Sequence, residues 1–174
     1  VTLALPLALE ARERDVMRRP PRDPNAPLLG PFVRWRTVAV ALLMTAATLA
    51  LFLYEHDRAR AAGAPEALAL REAQTIAVTC VVLMQCVYVL HCRALLGSVR
   101  EVGLWSNPSI YLGIAALLVL QLGFTYVPLM QTLFSTAPLD GSAWLRAGVA
   151  ALTVVPLVAI EKRWRRRHAR PAAA

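Results

Sequence analysis

The polar side chains that could take part in ion chemistry lie inside long apolar blocks of the sequence. Gln85, Tyr88 and Cys92 are three and seven residues apart, so on an α-helix they share one face. Oxygen atoms on such a face could line the path of a cation, whose bare charge is costly in hydrocarbon. The other interpretation is that Gln85 makes a hydrogen bond between helices, an interaction of about 1–2 kcal/mol or less in membranes.

Gln121 and Thr125 form a similar polar pair one helical turn apart. Helix packing is the favoured interpretation of this pair, and an ion pathway is the alternative. No complete apolar block carries Asp or Glu well inside it, so the strongest cation ligands are expected upstream of this chain. The candidate pathway residues are therefore Gln85, Tyr88, Gln121 and Thr125.

The three cysteines predict no metal site. Cys80, Cys86 and Cys92 follow one another at intervals of six, which rotates each about 240° from the last and scatters them around a helix. They cannot converge on one metal from one helix. No nucleophile–base pair accompanies them, so we predict no catalytic residue, no metal site and no enzyme activity of the chain by itself.

The elements that hold these residues are predicted to be membrane-spanning helices. Of the 174 residues, 57% are hydrophobic and 17% are charged, far from the roughly one-quarter charged of soluble domains. Four apolar blocks are long enough to cross a bilayer as α-helices, namely 37–54, 73–92, 108–130 and 143–161. Residues 1–9 are interpreted as the end of a fifth helix. The predicted fold is an all-α, multi-pass transmembrane helix bundle.

The distribution of Lys and Arg predicts the orientation of these helices. Alternate connections, starting with the loop 10–36 and ending with the tail 162–174, hold 15 of the 19 basic residues. The positive-inside rule places those connections in the cytoplasm. The basic tail is predicted to anchor the chain on anionic lipid, at about 1 kcal/mol per residue. Its anchoring residues are Arg163, Arg165, Arg166 and Arg167.

The first connection carries a specific string of residues. Asp15-Val-Met-Arg-Arg-Pro-Pro-Arg-Asp-Pro24 follows an apolar helix and resembles the cytoplasmic loop between helices six and seven of P-type cation-transporting ATPases. Later segments resemble helices eight, nine and ten of these pumps in the same order. They are Gln85-x-x-Tyr88-x-x-x-Cys92-Arg93, Leu120-Gln121-x-x-Phe124-Thr125-Tyr126-x-Pro128, and Trp144-Leu145-Arg146 with Glu161-Lys162.

The resemblance implies that residues 1–170 are the C-terminal membrane domain of a bacterial type II pump. In relatives the Gln85 position holds Gln or Glu. The resemblance also implies that the loop 10–29 connects the membrane helices to the phosphorylation domain, and Pro20-Pro21 would stiffen it. Plain positive-inside anchoring is the alternative role of this loop. The candidate coupling residues are Glu13, Asp15, Arg18, Arg19, Pro20, Pro21 and Arg22.

Cofactors and partners follow from the same resemblance. The Asp-Lys-Thr-Gly-Thr phosphorylation motif is absent from the 174 residues, so no cofactor is predicted for this chain, while ATP and magnesium are expected for the complete pump. The expected partners are the lipid bilayer, the N-terminal part of the pump with helices one to six, and the transported cation, but not nucleic acid. The expected location is the plasma (inner) membrane. The alternative is a free-standing four-span scaffold or accessory subunit.

Overall fold

The computed structural model describes residues 3–9, 30–92 and 107–168, and it places only α-helices in them, without a strand. The all-α prediction is therefore confirmed. Four helical segments are long and apolar enough to cross a membrane: Val33–Ala61, Glu66–Cys92, Pro108–Tyr126 and Gly141–Glu161. The helices are α1 (Ala4–Leu7), α2 (Pro31–Ala61), α3 (Glu66–Cys92), α4 (Pro108–Tyr126), α5 (Pro128–Phe134), α6 (Gly141–Leu152) and α7 (Val154–His168).

Helices α2 and α3 extend beyond the uncharged blocks that predicted them. Helix α2 begins at Pro31, so residues 31–36 of the predicted first loop are helical, because proline is well suited to the first turn of a helix. It continues through the charged residues after Tyr54 and ends in a Schellman turn at Gly63, whose φ is +85°. In that turn the Ala64 amide donates to Ala59 and the Gly63 amide to Arg60.

The predicted span 108–130 is interrupted near its end. Helix α4 stops at Tyr126, Val127 is extended, and Pro128 starts the short helix α5. The residue before a proline is driven out of the helical conformation, which explains the break. Asn107 caps the other end of α4, since its side chain accepts a hydrogen bond from the Ser109 amide at 3.1 Å.

The last predicted span, 143–161, is also interrupted. A turn at Thr153 separates α6 from α7, and Pro156 has no amide proton to donate to the carbonyl of Leu152 four residues earlier. Helix α7 then continues to His168, so the first residues of the predicted tail 162–174 are helical.

The core of the bundle lies between α3 and the α6–α7 pair. Alanines at four-residue intervals on α6, Ala143, Ala147 and Ala151, are at most 3% exposed. Small residues let helices approach closely, which is the main source of packing energy where lipid replaces water. The other buried members of the core are Ile76, Cys80, Met84, Leu139, Val154 and Val158.

Candidate functional site

The helices bring polar residues together at two ends of the bundle. At one end α2 begins and α3 ends, and we call this the Arg36 end. At the other end α2 ends and α6 begins, and we call this the Glu55 end. Between the two ends, polar side chains lie on α3 and α4.

Gln121 and Thr125 belong to a buried hydrogen-bonded network between α4 and α3. The Gln121 amide donates to the Thr79 hydroxyl at 2.8 Å, and Thr79 donates to the Thr75 carbonyl at 2.8 Å. Thr125 donates to the carbonyl of Gln121 at 2.9 Å. All four side chains are buried. Each polar group thus has a partner within the bundle, which is the arrangement expected of an interhelical packing contact.

Gln85 is placed differently, because it faces away from this network. Its side chain is exposed on the surface of the described bundle, whereas its neighbours Met84 and Cys86 are buried. Gln74 is exposed too, eleven residues or about 16 Å earlier on the same face of α3. We call this surface the glutamine face. An amide that faced only hydrocarbon would lose its hydrogen bonds, so this face suits contact with polar groups of other helices.

Tyr88 lies one turn from Gln85 and takes part in a cluster at the Arg36 end. The Arg36 guanidinium lies 5.5 Å from the centroid of the Tyr88 ring, within the range of a cation–π interaction. Arg36 also pairs with Glu161 of α7, with Nε 3.4 Å from the nearer carboxylate oxygen. The side chains of Arg36 and Glu161 are only 4% and 6% exposed.

A second ion pair, in which the carboxylate of Glu55 is buried and the arginines are partly exposed, lies at the Glu55 end. Both carboxylate oxygens of Glu55 accept from Arg146, with the Nη2 contact at 3.1 Å. Arg58 donates to Glu55 at 2.8 Å from one turn further along α2. Two guanidiniums therefore satisfy one buried carboxylate, and the pairing joins α2 to α6. We call this set the Glu55 clamp.

Asp140 starts α6 beside this clamp. One of its carboxylate oxygens accepts from the Ala143 amide at 2.6 Å, and both accept from the Ser142 hydroxyl at 2.9 Å. These hydrogen bonds hold the pKa of Asp140 below its usual range, with the Ala143 amide as the main cause. In the described residues no group of three His, Cys, Asp or Glu side chains is placed to hold a metal ion.

The predicted coupling residues and most of the predicted lipid-anchoring arginines have no side-chain geometry to report. The coupling residues from Glu13 to Arg22 lie outside the described residues. In the basic tail, Arg163 is exposed, and the side chains of Arg165, Arg166 and Arg167 are not described. Their roles stay predictions from the sequence.

Comparison with known proteins decides the family. The model of the family described as "Cation transporting ATPase, C-terminus" matches residues 1–164. The chain belongs to this family. It is the C-terminal transmembrane region of a P-type ATPase, as the loop and helix motifs predicted.

Curated relatives of this P-type ATPase region include proteins of several bacteria. The chain is 36% identical to the probable cation-transporting ATPase F of Mycobacterium tuberculosis over 98% of its own length and 18% of that protein. It is 30% identical to the cation-transporting ATPase pma1 of Synechocystis, covering 92% of the chain and 17% of the relative. It is also 30% identical to the calcium-transporting ATPase of Bacillus subtilis, covering 88% of the chain and 16% of the relative. The chain thus spans less than a fifth of these relatives.

Two parts of this P-type ATPase region could not be found from local sequence patterns. The Glu55 clamp joins residues 91 positions apart, and Arg36 was counted among the loop charges rather than in a helix. One signal was present, because Arg146 is the sole charged residue of its apolar block before Glu161 at the end. A buried arginine needs an acidic partner, and Glu55 directly follows another block.

Proposed function

We propose that this membrane domain braces the ion-binding helices of an ATP-driven cation pump. In this proposal the Gln85 side of α3 faces those helices, and the complete pump uses ATP and magnesium. The observation that carries the proposal is the contrast between the two glutamines. Gln121 is buried and bonded to Thr79 inside the bundle, while Gln85 is exposed on the glutamine face.

The packing of α3 supports the bracing role. This helix contacts α2, α4, α6 and α7, and Gln74 and Gln85 of its glutamine face remain exposed. A face held in this way is pre-organised for contact with a cation pathway, and a rigid helix positions side chains more closely than a loop. Gln85 and Tyr88 are the proposed wall residues, and Gln121 and Thr125 are assigned to packing.

We further propose that residues 10–29 carry movement between these helices and the phosphorylation domain. The support is the resemblance of the loop together with the stiffness of Pro20-Pro21. The loop and the tail would then lie in the cytoplasm and the spans in the plasma membrane. This orientation places the Arg36 end at the cytoplasmic side.

The test compares two glutamine variants in the complete pump. Gln85→Leu should raise the cation concentration needed for half-maximal ATP hydrolysis, with little loss of folded protein, because it removes an amide from the outward face. Gln121→Leu is the matched control and should instead lower the folded yield, since it removes the hydrogen bond that joins α4 to Thr79 of α3. If Gln85→Leu lowers only the yield and the surviving pump binds cations normally, the wall role is wrong.

A further inference from the structure

The cluster at the Arg36 end has a geometry that helix packing alone does not require. Among the described residues, none of the three side-chain nitrogens of Arg36 has a hydrogen-bond partner, and one oxygen of Glu161 has none. At 3.4 Å the ion pair is a charge contact rather than a hydrogen bond. Buried pairs with incomplete hydrogen bonding add little stability relative to a well-packed apolar pair. Within the described residues, the features that define this cluster are therefore the buried charge contact with Glu161 and the Tyr88 ring beside the guanidinium.

The best-placed contact of the Arg36 guanidinium is the ring of Tyr88. The ring lies 5.5 Å away, and in this buried position water does not weaken the attraction. Glu161 holds the guanidinium from the opposite helix, α7. Three helices thus meet through three side chains, and the middle one is the arginine.

The position of the ring matters because Tyr88 is one turn from Gln85 on α3. A change in where the ring packs would rotate or shift this end of α3 and move the glutamine face with it. We propose that Arg36 is a positioning residue for cation transport. Glu161 on the last helix holds the Arg36 guanidinium, the guanidinium fixes the position of the Tyr88 ring, and the ring fixes the orientation of the Gln85 face. This inference rests on the proposed function of the Gln85 face.

Exchanging the two charges of the Arg36–Glu161 pair distinguishes the positioning of Tyr88 from a simple attraction between α2 and α7. The double change Arg36→Glu with Glu161→Arg restores opposite charges but replaces the guanidinium that α2 holds beside the Tyr88 ring with a carboxylate. The face of an aromatic ring is electron-rich, so it attracts a guanidinium and repels a carboxylate. A purely structural pair would be rescued by the reversal, whereas a positioning arginine would not.

The experiment uses the complete pump in native-like membranes. Folded yield is measured for each variant. Ca²⁺, Mn²⁺, Na⁺ and K⁺ are first tested on the wild type, and ATP hydrolysis of every variant is then measured at rising concentrations of the ion that stimulates it. Arg36→Gln and Glu161→Gln should each raise the half-maximal cation concentration about three- to tenfold, the size expected for loss of a cation–π contact. The reversed pair should recover yield but keep the raised concentration. Glu55→Gln, which breaks the ion pair at the other end, should lower the folded yield and leave the half-maximal cation concentration unchanged.

Tyrosine variants keep the test decisive if the single charge variants do not fold. Tyr88→Leu removes the ring and should raise the half-maximal cation concentration as Arg36→Gln does, while Tyr88→Phe keeps the ring and should raise it less than Tyr88→Leu. Normal cation dependence of the reversed pair or of Tyr88→Leu overturns the inference. If Gln85→Leu still shifts the cation dependence in the same assay, the proposed wall role of Gln85 stands and only the positioning role of Arg36 is wrong. If Gln85→Leu is normal, both roles are wrong.

Discussion

At the scale of single residues, Glu55 illustrates how a charge is accommodated at the edge of a membrane bundle. Both of its oxygens accept from Arg146, and Arg58 adds a third contact at 2.8 Å. The bidentate arrangement satisfies both partners, in contrast to the incomplete pairing of Arg36 with Glu161. The two ion pairs therefore differ in kind: both oxygens of Glu55 accept hydrogen bonds in the clamp, whereas the guanidinium of Arg36 lies against the Tyr88 ring.

The cap of α6 gives a prediction at the same scale. Asp140→Ala should lower the free energy of unfolding by about 1 kcal/mol, because the Ala143 amide loses its acceptor. Since the folded pKa of Asp140 is depressed, its contribution is fully present above the ordinary aspartate pKa of about 4 and is lost as pH falls through the folded value. Thermal unfolding of the purified protein in detergent at several pH values measures both effects.

Asn is the matched control for this cap, because its side-chain oxygen also accepts from the helix amides but does not titrate in this range. Asp140→Asn should keep most of the stability near pH 7 and remove the part of its acid dependence that Asp140 contributes. Equal stability of all three proteins at neutral pH would show that the cap contributes nothing measurable.

At the scale of elements, the number and type of the spans were predictable, and their ends were not. Apolar length alone predicts four helices, since a bilayer needs about 20 such residues in each. Helix α2 continues past the predicted span to Ala61 because the charged stretch after Tyr54 is rich in good helix formers. The true stop is the Gly63 turn, which depends on backbone conformation rather than hydropathy.

The proposed coupling role of the loop before α2 can be tested by making this loop more flexible. Replacement of Pro20 and Pro21 by Gly adds backbone freedom and removes no charge that orients the helices. In the complete pump we expect normal insertion, with ATP hydrolysis and ion transport either uncoupled or both slowed. Hydrolysis and transport are measured per folded molecule.

Arg22→Gln is the companion variant for this loop. It removes one of seven basic residues between positions 11 and 36, so six remain to orient the helices. Loss of activity here, with normal insertion, would support an electrostatic contact with the phosphorylation domain. Normal transport by both variants would leave the loop as an anchor alone.

At the scale of the whole molecule, the excess of basic residues on one side gives a prediction of topology. Single cysteines, introduced into a cysteine-free background, should react with a membrane-impermeant reagent at Gly63 in intact cells. Cysteines at Asn25 and Ser98 should react only after permeabilisation, because their connections carry the positive-inside excess. Reaction of Ser98 and protection of Gly63 in intact cells would reverse the orientation.

The contacts that assemble the whole bundle were the least predictable part. Period and composition indicate which segments are helices, but they do not say which helices touch. The buried side chain of Gln121 could be predicted to pack, yet its partner Thr79 lies 42 residues away on another helix. Such pairings depend on the rotation of each helix about its axis, which follows from the packing of the whole bundle and not from the local sequence.

The long sequence separation within the Glu55 clamp has a consequence during synthesis. Arg146 is made 91 residues after Glu55, an interval of about 5–18 s at ribosomal rates of about 5–20 residues per second. Through that interval Arg58, three residues on, is the partner already available to the carboxylate. Arg58 would thus be the sole counter-ion within the clamp until Arg146 is made, and it stays paired with Glu55 in the folded bundle.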